Sequence, residues 1–245
     1  MMIVRTPAVQ VPMHCFPSFL CLVMLTALFV SPRILHAGQN DVAIGDEYGG
    51  GIVGCIFQPG DPGYVAGEQH GLIISRTPLV YASVYCQTPP DTTDASYHEL
   101  LTKDGRFRWS TSVTDSPSSP LYSGKPVGTS TAFGTGRANT LAILAVYPAS
   151  RFKYTAAAMC DNYSVTVYGK TFDDWYLPSQ EELARLAQHH DDLDVLVYNF
   201  LNVFWSSSED GPEIAWNSYF IGGNQQVSDN VHKSGTGGAR AVRDF

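Results

Sequence analysis

Glycine and proline interrupt this chain so often that long, uninterrupted helices have little room in it. The 245 residues include 22 Gly and 15 Pro, which favour turns and weaken helix interiors. Hydrophobic residues make up 44% and aromatic residues 12% of the chain, enough to bury a core rather than stay disordered. The composition therefore favours a loop-rich fold of short elements over a helical bundle.

Residues 1–37 have the layout of a secretory signal peptide. Arg5 precedes an uncharged apolar run at residues 16–30, and the small residue Ala37 follows at a suitable cleavage position. The run is 15 residues long, whereas a helix that spans a bilayer needs about 20. Cleavage is therefore favoured over a retained membrane anchor. We expect export to the periplasm, the cell surface or the medium, and no membrane insertion of the mature chain.

The charge balance is acidic. The chain carries 15 Lys and Arg against 23 Asp and Glu, a net charge of −8. Cleavage after Ala37 removes Arg5 and Arg33 and no acidic residue, so the mature charge becomes −10. Because nucleic-acid binding needs clustered cations that can meet phosphates, this balance excludes a nucleic acid as the partner.

Residues 38–245 are predicted to form a single α+β domain, in which strands precede and follow two short helices. Residues 87–136, rich in Ser, Thr, Pro and Gly, are predicted to form surface loop with Trp109 as an aromatic anchor. A turn is predicted at Gly222-Gly223-Asn224. Four segments carry strand patterns: 52–57, 71–74, 214–221 and 239–245.

Two helices are predicted in the middle of the domain. The first begins near Asn139, which can cap it, and ends at Pro148. The second follows a capping box in which Ser179 and Glu182 each bond the other's backbone amide. Leu183, Leu186 and Ala187 then line its apolar face.

Four motifs in a fixed order resemble the Lcl C-terminal domain family, a bacterial family of largely unknown function named for a collagen-like surface adhesin. The resemblance covers about residues 45–245. The motifs are 128–140 (GTSTAFGTGRANT), 173–183 (DDWYLPSQEEL), 204–209 (FWSSSE) and 240–245 (RAVRDF).

The 175–183 element also resembles the C-type-lectin-like and sulfatase-modifying-factor-like superfamily. This resemblance implies a C-type-lectin-like fold: a curved antiparallel sheet, two short helices and long loops. It does not extend to formylglycine-generating activity, which needs a close cysteine pair near the C-terminus, because no cysteine follows Cys160. The chain also lacks a collagen-like Gly-X-Y stalk.

Three cysteines remain after cleavage: Cys55, Cys86 and Cys160. They allow at most one internal disulfide, and burial as small apolar side chains is favoured for at least one of them. No metal or other cofactor is expected. Calcium is the alternative, because Asp173 and Asp174 with Glu181 or Glu209 could supply oxygen ligands, although no EF-hand loop pattern is present.

The favoured function is an exported, non-catalytic binding module, such as a surface adhesin or a carbohydrate- or protein-binding domain. The alternative is an exported enzyme of unassigned chemistry on a sulfatase-modifying-factor-like fold, since a fold does not determine a function. No G-x-S-x-G nucleophile elbow occurs in the sequence. A shallow surface of amides and aromatic rings, rather than a pocket of converging titratable groups, would favour binding.

The candidate ligand-binding residues lie in the C-terminal part and combine hydroxyl, carboxylate and amide groups. With aromatic neighbours such as Trp216, these groups suit a glycan or a protein ligand. A neutral ligand is favoured over a polyanion because the mature charge is −10, unless Lys233 and Arg240 form a local basic patch. The candidates are Ser208, Glu209, Asn217, Asn224, Gln225 and Gln226; no catalytic residue is predicted.

The signal-peptide prediction can be checked directly. We expect mass spectrometry of the exported protein to give a mature chain that begins at Gly38. Exported protein that retains residues 1–37 would contradict cleavage and indicate a membrane-anchored chain instead.

Overall fold

Short antiparallel strands dominate the described part of the chain, with three helices between them. The computed structural model describes residues 42–76, 79, 106–110, 124–150, 152, 154–189, 203–221 and 225–245. These residues belong to one compact unit, and every strand pairing within its sheets is antiparallel. This confirms the α+β class. The predicted signal peptide lies outside the described residues.

The helices are short and all lie in the middle of the domain. They are α1 (Gly136–Val146), α2 (Ala156–Asp161) and α3 (Gln180–Ala187). The strands before them are β1 (Glu47–Tyr48), β2 (Gly51–Ile56), β3 (Gly71–Ile74) and β4 (Phe107–Arg108). The later strands are β5 (Val165–Val167), β6 (Lys170–Phe172), β7 (Val203–Glu209), β8 (Ile214–Ile221), β9 (Gln225–His232), β10 (Thr236–Gly237) and β11 (Val242–Asp244).

A four-stranded sheet joins the two ends of the described chain, in the order β1-β2-β3-β11. Val242 of β11 lies opposite Ile74 of β3, so the last residues close the sheet that the first residues begin. The strands predicted at 52–57 and 71–74 are confirmed. The strand predicted over 239–245 is confirmed only at Val242–Asp244, because Ala239 forms an isolated bridge with Leu79 instead.

A three-stranded sheet is formed by β7, β8 and β9, in that order. The predicted strand at 214–221 is confirmed as β8. Strand β7 changes register between Trp205 and Glu209, which lie opposite Asn217 and Ala215 respectively. Three residues of β7 therefore face one of β8, a bulge that bends the strand and re-aims its side chains. Two-stranded pairings join β4 with β10 and β5 with β6.

The helix predicted to begin near Asn139 is confirmed as α1, but it begins one turn earlier, at Gly136, and Asn139 is not its N-cap. Thr135 occupies the N-cap position but makes no side-chain capping bond. Instead, the carboxylate of Glu182 accepts a hydrogen bond from the backbone N–H of Gly136 at 3.4 Å. A Cβ at Gly136 would lie 2.2 Å from Glu182 Oε2, so only glycine allows this approach.

The capping box of α3 is confirmed. Ser179 Oγ accepts a hydrogen bond from Glu182 N at 3.2 Å, and Glu182 Oε2 accepts one from Ser179 N at 2.8 Å. Leu183, Leu186 and Ala187 are buried as predicted. Helix α2 was not predicted; it begins after Thr155, whose hydroxyl oxygen accepts a hydrogen bond from Ala158 N.

The β5–β6 hairpin turns through two residues with positive φ angles. Tyr168 has φ 50° and Gly169 has φ 78°, the combination that fits a tight hairpin with the right-handed twist of its strands. The side chain of Tyr168 is exposed, so it packs against little that would offset its unusual backbone conformation.

Three tryptophans form the centre of the main core, and each has a hydrogen-bond acceptor for its indole N–H. Trp109 donates to Ser206 O at 2.8 Å and Trp205 donates to Phe107 O at 2.9 Å. Trp175 donates to Phe172 O at 3.0 Å. Trp109 therefore acts as the predicted anchor. A smaller core lies where Leu72, Ile74 and their neighbours on the four-stranded sheet meet α3.

None of the described helices combines the length and the apolar character needed to cross a membrane.

Replacing Ser179 with alanine removes the acceptor that caps α3. We expect Ser179→Ala to lower the free energy of unfolding by about 0.5–2 kcal/mol, measured by urea denaturation. Gln188→Ala, at the exposed other end of the same helix, is the control and should stay within about 0.5 kcal/mol of wild type. Equal midpoints for Ser179→Ala and wild type would contradict the capping role.

Candidate functional site

The five candidate residues that the structure describes are distributed over all three strands of the three-stranded sheet. Ser208 and Glu209 end β7, and Asn217 lies in the middle of β8 opposite Trp205. Gln225 and Gln226 begin β9, opposite Ile221 and Phe220. The remaining candidate, Asn224, lies outside the described residues. Gln226 is the glutamine nearer to Asn230 along β9. Four positions separate the two residues, which is about 13 Å along a strand.

Ser208 is buried and its hydroxyl is used inside the protein. The hydroxyl donates to Ser130 O at 2.7 Å and accepts a hydrogen bond from Gln180 N at 3.1 Å. It therefore ties the loop of residues 124–135 (the 124–135 loop) to the first turn of α3. Ser208 lies in the bulge of β7, where the regular pairing with β8 is interrupted.

Glu209 and Lys233 form a buried ion pair that also holds the 124–135 loop. Lys233 Nζ lies 2.6 Å from Glu209 Oε2, and the two side chains are 0% and 9% exposed respectively. The carboxylate also accepts hydrogen bonds from the backbone N–H groups of Val127, at 3.0 Å, and Gly128. The ammonium donates to Lys125 O at 3.2 Å and lies 4.6 Å from the centre of the Trp109 ring.

The electrostatics of this pair follow from burial and from its hydrogen bonds. Burial raises the pKa of Glu209, but the bond from Lys233 and the backbone N–H of Gly128 outweigh it, so the pKa is lowered overall. Burial lowers the pKa of Lys233, and Glu209 opposes that effect. At neutral pH Glu209 is therefore a carboxylate, and the buried ammonium of Lys233 is its counter-charge.

Glu182 is a second buried carboxyl group that holds the same loop. In addition to its capping bond with Ser179, it accepts a hydrogen bond from Gly134 N at 3.1 Å. Burial raises its pKa to about 7, against the lowering effect of the backbone N–H groups of Ser179, Gly136 and Gly134. This carboxyl group has no exposed surface, so its role on this geometry is to position the loop and α1.

Asn217 is also an internal residue. Its side chain is 3% exposed, and its Oδ1 atom has no hydrogen-bond partner among the described residues. Its cross-strand partner on β7 is the buried Trp205. Asn217 therefore belongs to the core side of the sheet rather than to a surface that a large ligand could reach.

An exposed polar surface with one indole does exist on the same sheet, at the end nearer the β7–β8 turn. Trp216 of β8 lies directly opposite Asn230 of β9, which places the two side chains next to each other on one face. Asn230 is exposed and its Nδ2 donates to Asp210 Oδ2 at 2.7 Å. We call the surface of Asp210, Glu213, Trp216, Asn230 and His232 the Trp216 face.

The Trp216 face combines an apolar ring with groups that accept and donate hydrogen bonds. Trp216 is half-buried, so its ring is held in place and still presents some surface. His232 is 39% exposed, with Nε2 4.0 Å from Glu213 Oε2, and its Nδ1 lies 2.6 Å from Ser234 Oγ. An indole beside an amide and a carboxylate can pack on an apolar surface and bond neighbouring hydroxyls.

Sequence reasoning named Trp216 but missed Asn230 and Asp210. Counting outward from the predicted turn at Gly222-Gly223-Asn224 places Trp216 opposite Asn230, which is the observed register. The signal was therefore present in the turn position. The bond from Asn230 to Asp210 had no comparable signal, because it joins β9 to the turn that follows β7.

Three of the four acidic residues considered for calcium have separate partners. Arg243 bonds Asp174 through Nη2 at 3.0 Å, and Glu181 accepts a hydrogen bond from Phe133 N at 3.0 Å. Glu209 forms its ion pair with Lys233. Across the ranges described above, no group of three or more His, Cys, Asp or Glu is arranged to hold a metal ion.

Cys55 and Cys160 are free and buried, which confirms burial for at least one of the three cysteines. Burial raises the pKa of Cys55 to about 12 and that of Cys160 well above its ordinary value. Both thiols are thus poor nucleophiles at neutral pH. The third, Cys86, lies outside the described residues.

Comparison with known proteins does not place the chain in a family: no family model matches it, and no curated protein matches it.

Removing the charge of Glu209 should destabilise the protein, because it leaves the Lys233 ammonium buried without a counter-charge. We expect Glu209→Gln to lower the free energy of unfolding by about 3–5 kcal/mol at pH 7, measured by urea denaturation. The folded-state pKa of Glu209 is below its usual 4.5. The stabilisation is therefore full above about pH 4.5 and is lost as the pH falls through the lowered folded value.

The double variant Glu209→Gln, Lys233→Met is the matched control for that experiment. It removes both charges, so it should recover part of the loss seen at pH 7. A single variant as stable as wild type at neutral pH, or a difference that does not shrink in acid, would contradict the buried ion pair.

Proposed function

We propose that this chain is an exported, non-catalytic binding module that takes a neutral glycan or a protein ligand on its Trp216 face. We further propose a C-type-lectin-like fold related to the Lcl C-terminal domain family, on the strength of the four ordered motifs. The antiparallel sheets and short helices are consistent with that fold. Export rests on the apolar run at 16–30 and on Ala37.

The observation that carries the proposal is the pairing of the half-buried Trp216 with the exposed Asn230 across β8 and β9. A sugar ring offers an apolar face and several hydroxyls, so an indole next to an amide matches it in both respects. A protein ligand would use the same combination at a small, partly polar interface. Hydrogen bonding and packing by the groups of the Trp216 face are sufficient to bind either kind of ligand.

The charge distribution favours a neutral ligand. The Trp216 face contains Asp210 and Glu213, both acidic. Lys233 and Arg240, the cations from which a local basic patch could have been built, are both fully buried. A polyanion would therefore meet an acidic surface on a chain whose mature charge is −10.

The test is a glycan array with purified 38–245 protein, followed by titration of the ligand that it identifies. We expect Asn230→Ala to weaken binding by roughly threefold to tenfold, the equivalent of one or two lost hydrogen bonds. Trp216→Leu should weaken it further by removing the stacking surface. Thermal unfolding of Asn230→Ala should stay within about 0.5 kcal/mol of wild type, because Asn230 is exposed.

Gln58→Ala provides a matched control, since Gln58 is an exposed amide beside the four-stranded sheet. It should bind like wild type. If Asn230→Ala and Trp216→Leu also bind normally while His70→Ala abolishes binding, the ligand site lies in the N-terminal half and the Trp216 face is wrong.

A further inference from the structure

The turn of the β5–β6 hairpin presents a tyrosine in a backbone conformation that suits tyrosine poorly. Tyr168 has φ 50° and Gly169 has φ 78°, a pair of angles for which Asn-Gly is the favoured sequence. The side chain of Tyr168 is 89% exposed, so packing within the domain does not explain why a bulky residue occupies this position. A strained residue that the fold does not require indicates a contact outside the domain.

The turn projects from a firmly packed base. Apart from its two chain neighbours, a Cβ placed on Gly169 would meet no atom within 4 Å, so the turn is clear of the rest of the domain. At the base, a Cβ placed on Gly50 would lie 2.6 Å from Val165 Cγ1 and 3.0 Å from Phe172 Cδ2. Phe172 O also accepts the indole N–H of Trp175 at 3.0 Å. Because the base is packed in this way, little conformational freedom is lost when the tyrosine is bound.

The turn also carries a positive charge on a chain that is acidic overall. Lys170 is the only charged residue in the sequence of the hairpin, Val165–Phe172. It is exposed, and its Nζ atom lies 4.9 Å from the centre of the Phe172 ring. We call Tyr168 and Lys170 the hairpin tip. The hairpin tip thus offers an aromatic ring and a cation together.

The Trp216 face offers the groups that complement the hairpin tip. Asp210 is exposed and the side chain of Glu213 is 53% exposed, so two carboxylates can attract an ammonium group. The half-buried indole of Trp216 can pack against a second aromatic ring. Asn230 donates from Nδ2 to Asp210, and its Oδ1 atom can accept a hydrogen bond from a tyrosine hydroxyl.

We propose that the hairpin tip of one copy of this chain binds the Trp216 face of a second copy. The Tyr168 ring packs on the Trp216 indole. The Lys170 ammonium is attracted by the carboxylates of Asp210 and Glu213. This inference rests on the proposed function, because it identifies the protein ligand of the Trp216 face as another copy of the chain.

A second copy is the partner that the exposure and the charges favour. Tyr168 is 89% exposed, so it is not covered by the Trp216 face of its own domain. Two copies with a mature charge of −10 each repel one another, so they can meet only where opposite local charges face each other. The hairpin tip and the Trp216 face are different surfaces. Their contact is therefore heterologous, and it can continue from copy to copy into rings or open chains.

The test is sedimentation velocity of the purified mature protein. The contact is small and therefore weak, so the series runs from about 10 µM to about 500 µM. We expect the mean sedimentation coefficient to rise with concentration, and to rise less in about 1 M sodium chloride, which screens the charges. Tyr168→Asn removes the ring and Lys170→Glu reverses the charge. Each should weaken association at least about tenfold.

Two controls show that these variants are folded and that the effect is local. Tyr168→Asn should raise the midpoint of thermal unfolding by about 1–3 °C, because Asn suits the turn better than Tyr does. Tyr64→Asn changes a tyrosine of another loop that is 36% exposed, and it should associate like wild type.

A mixing experiment tests the heterologous geometry. Asp210→Lys alters the Trp216 face and keeps the hairpin tip, whereas Tyr168→Asn alters the tip and keeps the face. Each variant alone should stay monomeric. An equimolar mixture of the two should form dimers and nothing larger, because only one intact tip and one intact face can meet in each pair.

Three results would overturn the self-association: wild-type protein that is monomeric over the whole series, Tyr168→Asn that associates like wild type, or a mixture that stays monomeric. These results are separate from failure of the proposed function, for which Trp216→Leu is measured against the ligand from the glycan array. A monomeric wild type whose array ligand is lost in Trp216→Leu would overturn the self-association and support the proposed function.

Discussion

Two buried carboxyl groups hold the 124–135 loop, and the arrangement of the helices and of the central sheet depends on them. Glu209 accepts hydrogen bonds from the backbone N–H groups of Val127 and Gly128. Glu182 accepts one from the backbone N–H of Gly134. The loop is rich in Gly, Ser and Thr, so it has few apolar side chains to bury and cannot be held by packing alone. Its buried donors need acceptors, and a carboxylate can accept several at once.

The same interaction determines where α1 begins. A helix leaves its first N–H groups without partners inside the helix, and a local cap usually supplies one. Here Glu182 accepts the N–H of Gly136 at the start of α1. The acceptor comes from the first turn of α3, so the two helix starts are joined through one side chain. Ser208 of β7 joins the same network, because its hydroxyl bonds Ser130 O in the loop and Gln180 N in α3.

Local signals in the sequence predicted the parts of the fold that local interactions build. The capping box of α3 and the strand patterns at 52–57 and 71–74 are examples, because each pattern lies within a few consecutive residues. Asn139 shows where this reasoning fails. It is a favourable capping residue, but its side chain accepts a hydrogen bond from Ser130 N at 2.9 Å and so serves the loop before the helix.

The β5–β6 hairpin was missed for a related reason. Tight hairpin turns with two positive φ angles are usually signalled by Asn or Asp before Gly. Tyr168 takes that first position here, with φ 50°. Its identity predicts a strand or a core residue rather than a turn. The turn is recognised only from the structure, in which it lets Val165 of β5 pair with Phe172 of β6.

The positions of the candidate residues were harder to predict than the strands that carry them. Ser208 and Glu209 were named as ligand-binding residues for their hydroxyl and carboxylate groups, but both bond the 124–135 loop instead. Asn217 lies on the core side for the ordinary reason that it is one residue away from Trp216. The amide that does lie beside the indole on the surface is Asn230, whose place follows from the register of β8 and β9.

The two buried cations of the domain, Lys233 and Arg240, differ in how their charges are compensated. Lys233 has a carboxylate, a carbonyl oxygen and an aromatic ring as neighbours. Arg240 has the carbonyl oxygen and the ring and lacks only the carboxylate. Because both positive charges are internal, they do not offset the acidic groups of the Trp216 face. The separation of charge therefore leaves the Trp216 face acidic although two cations lie within the same domain.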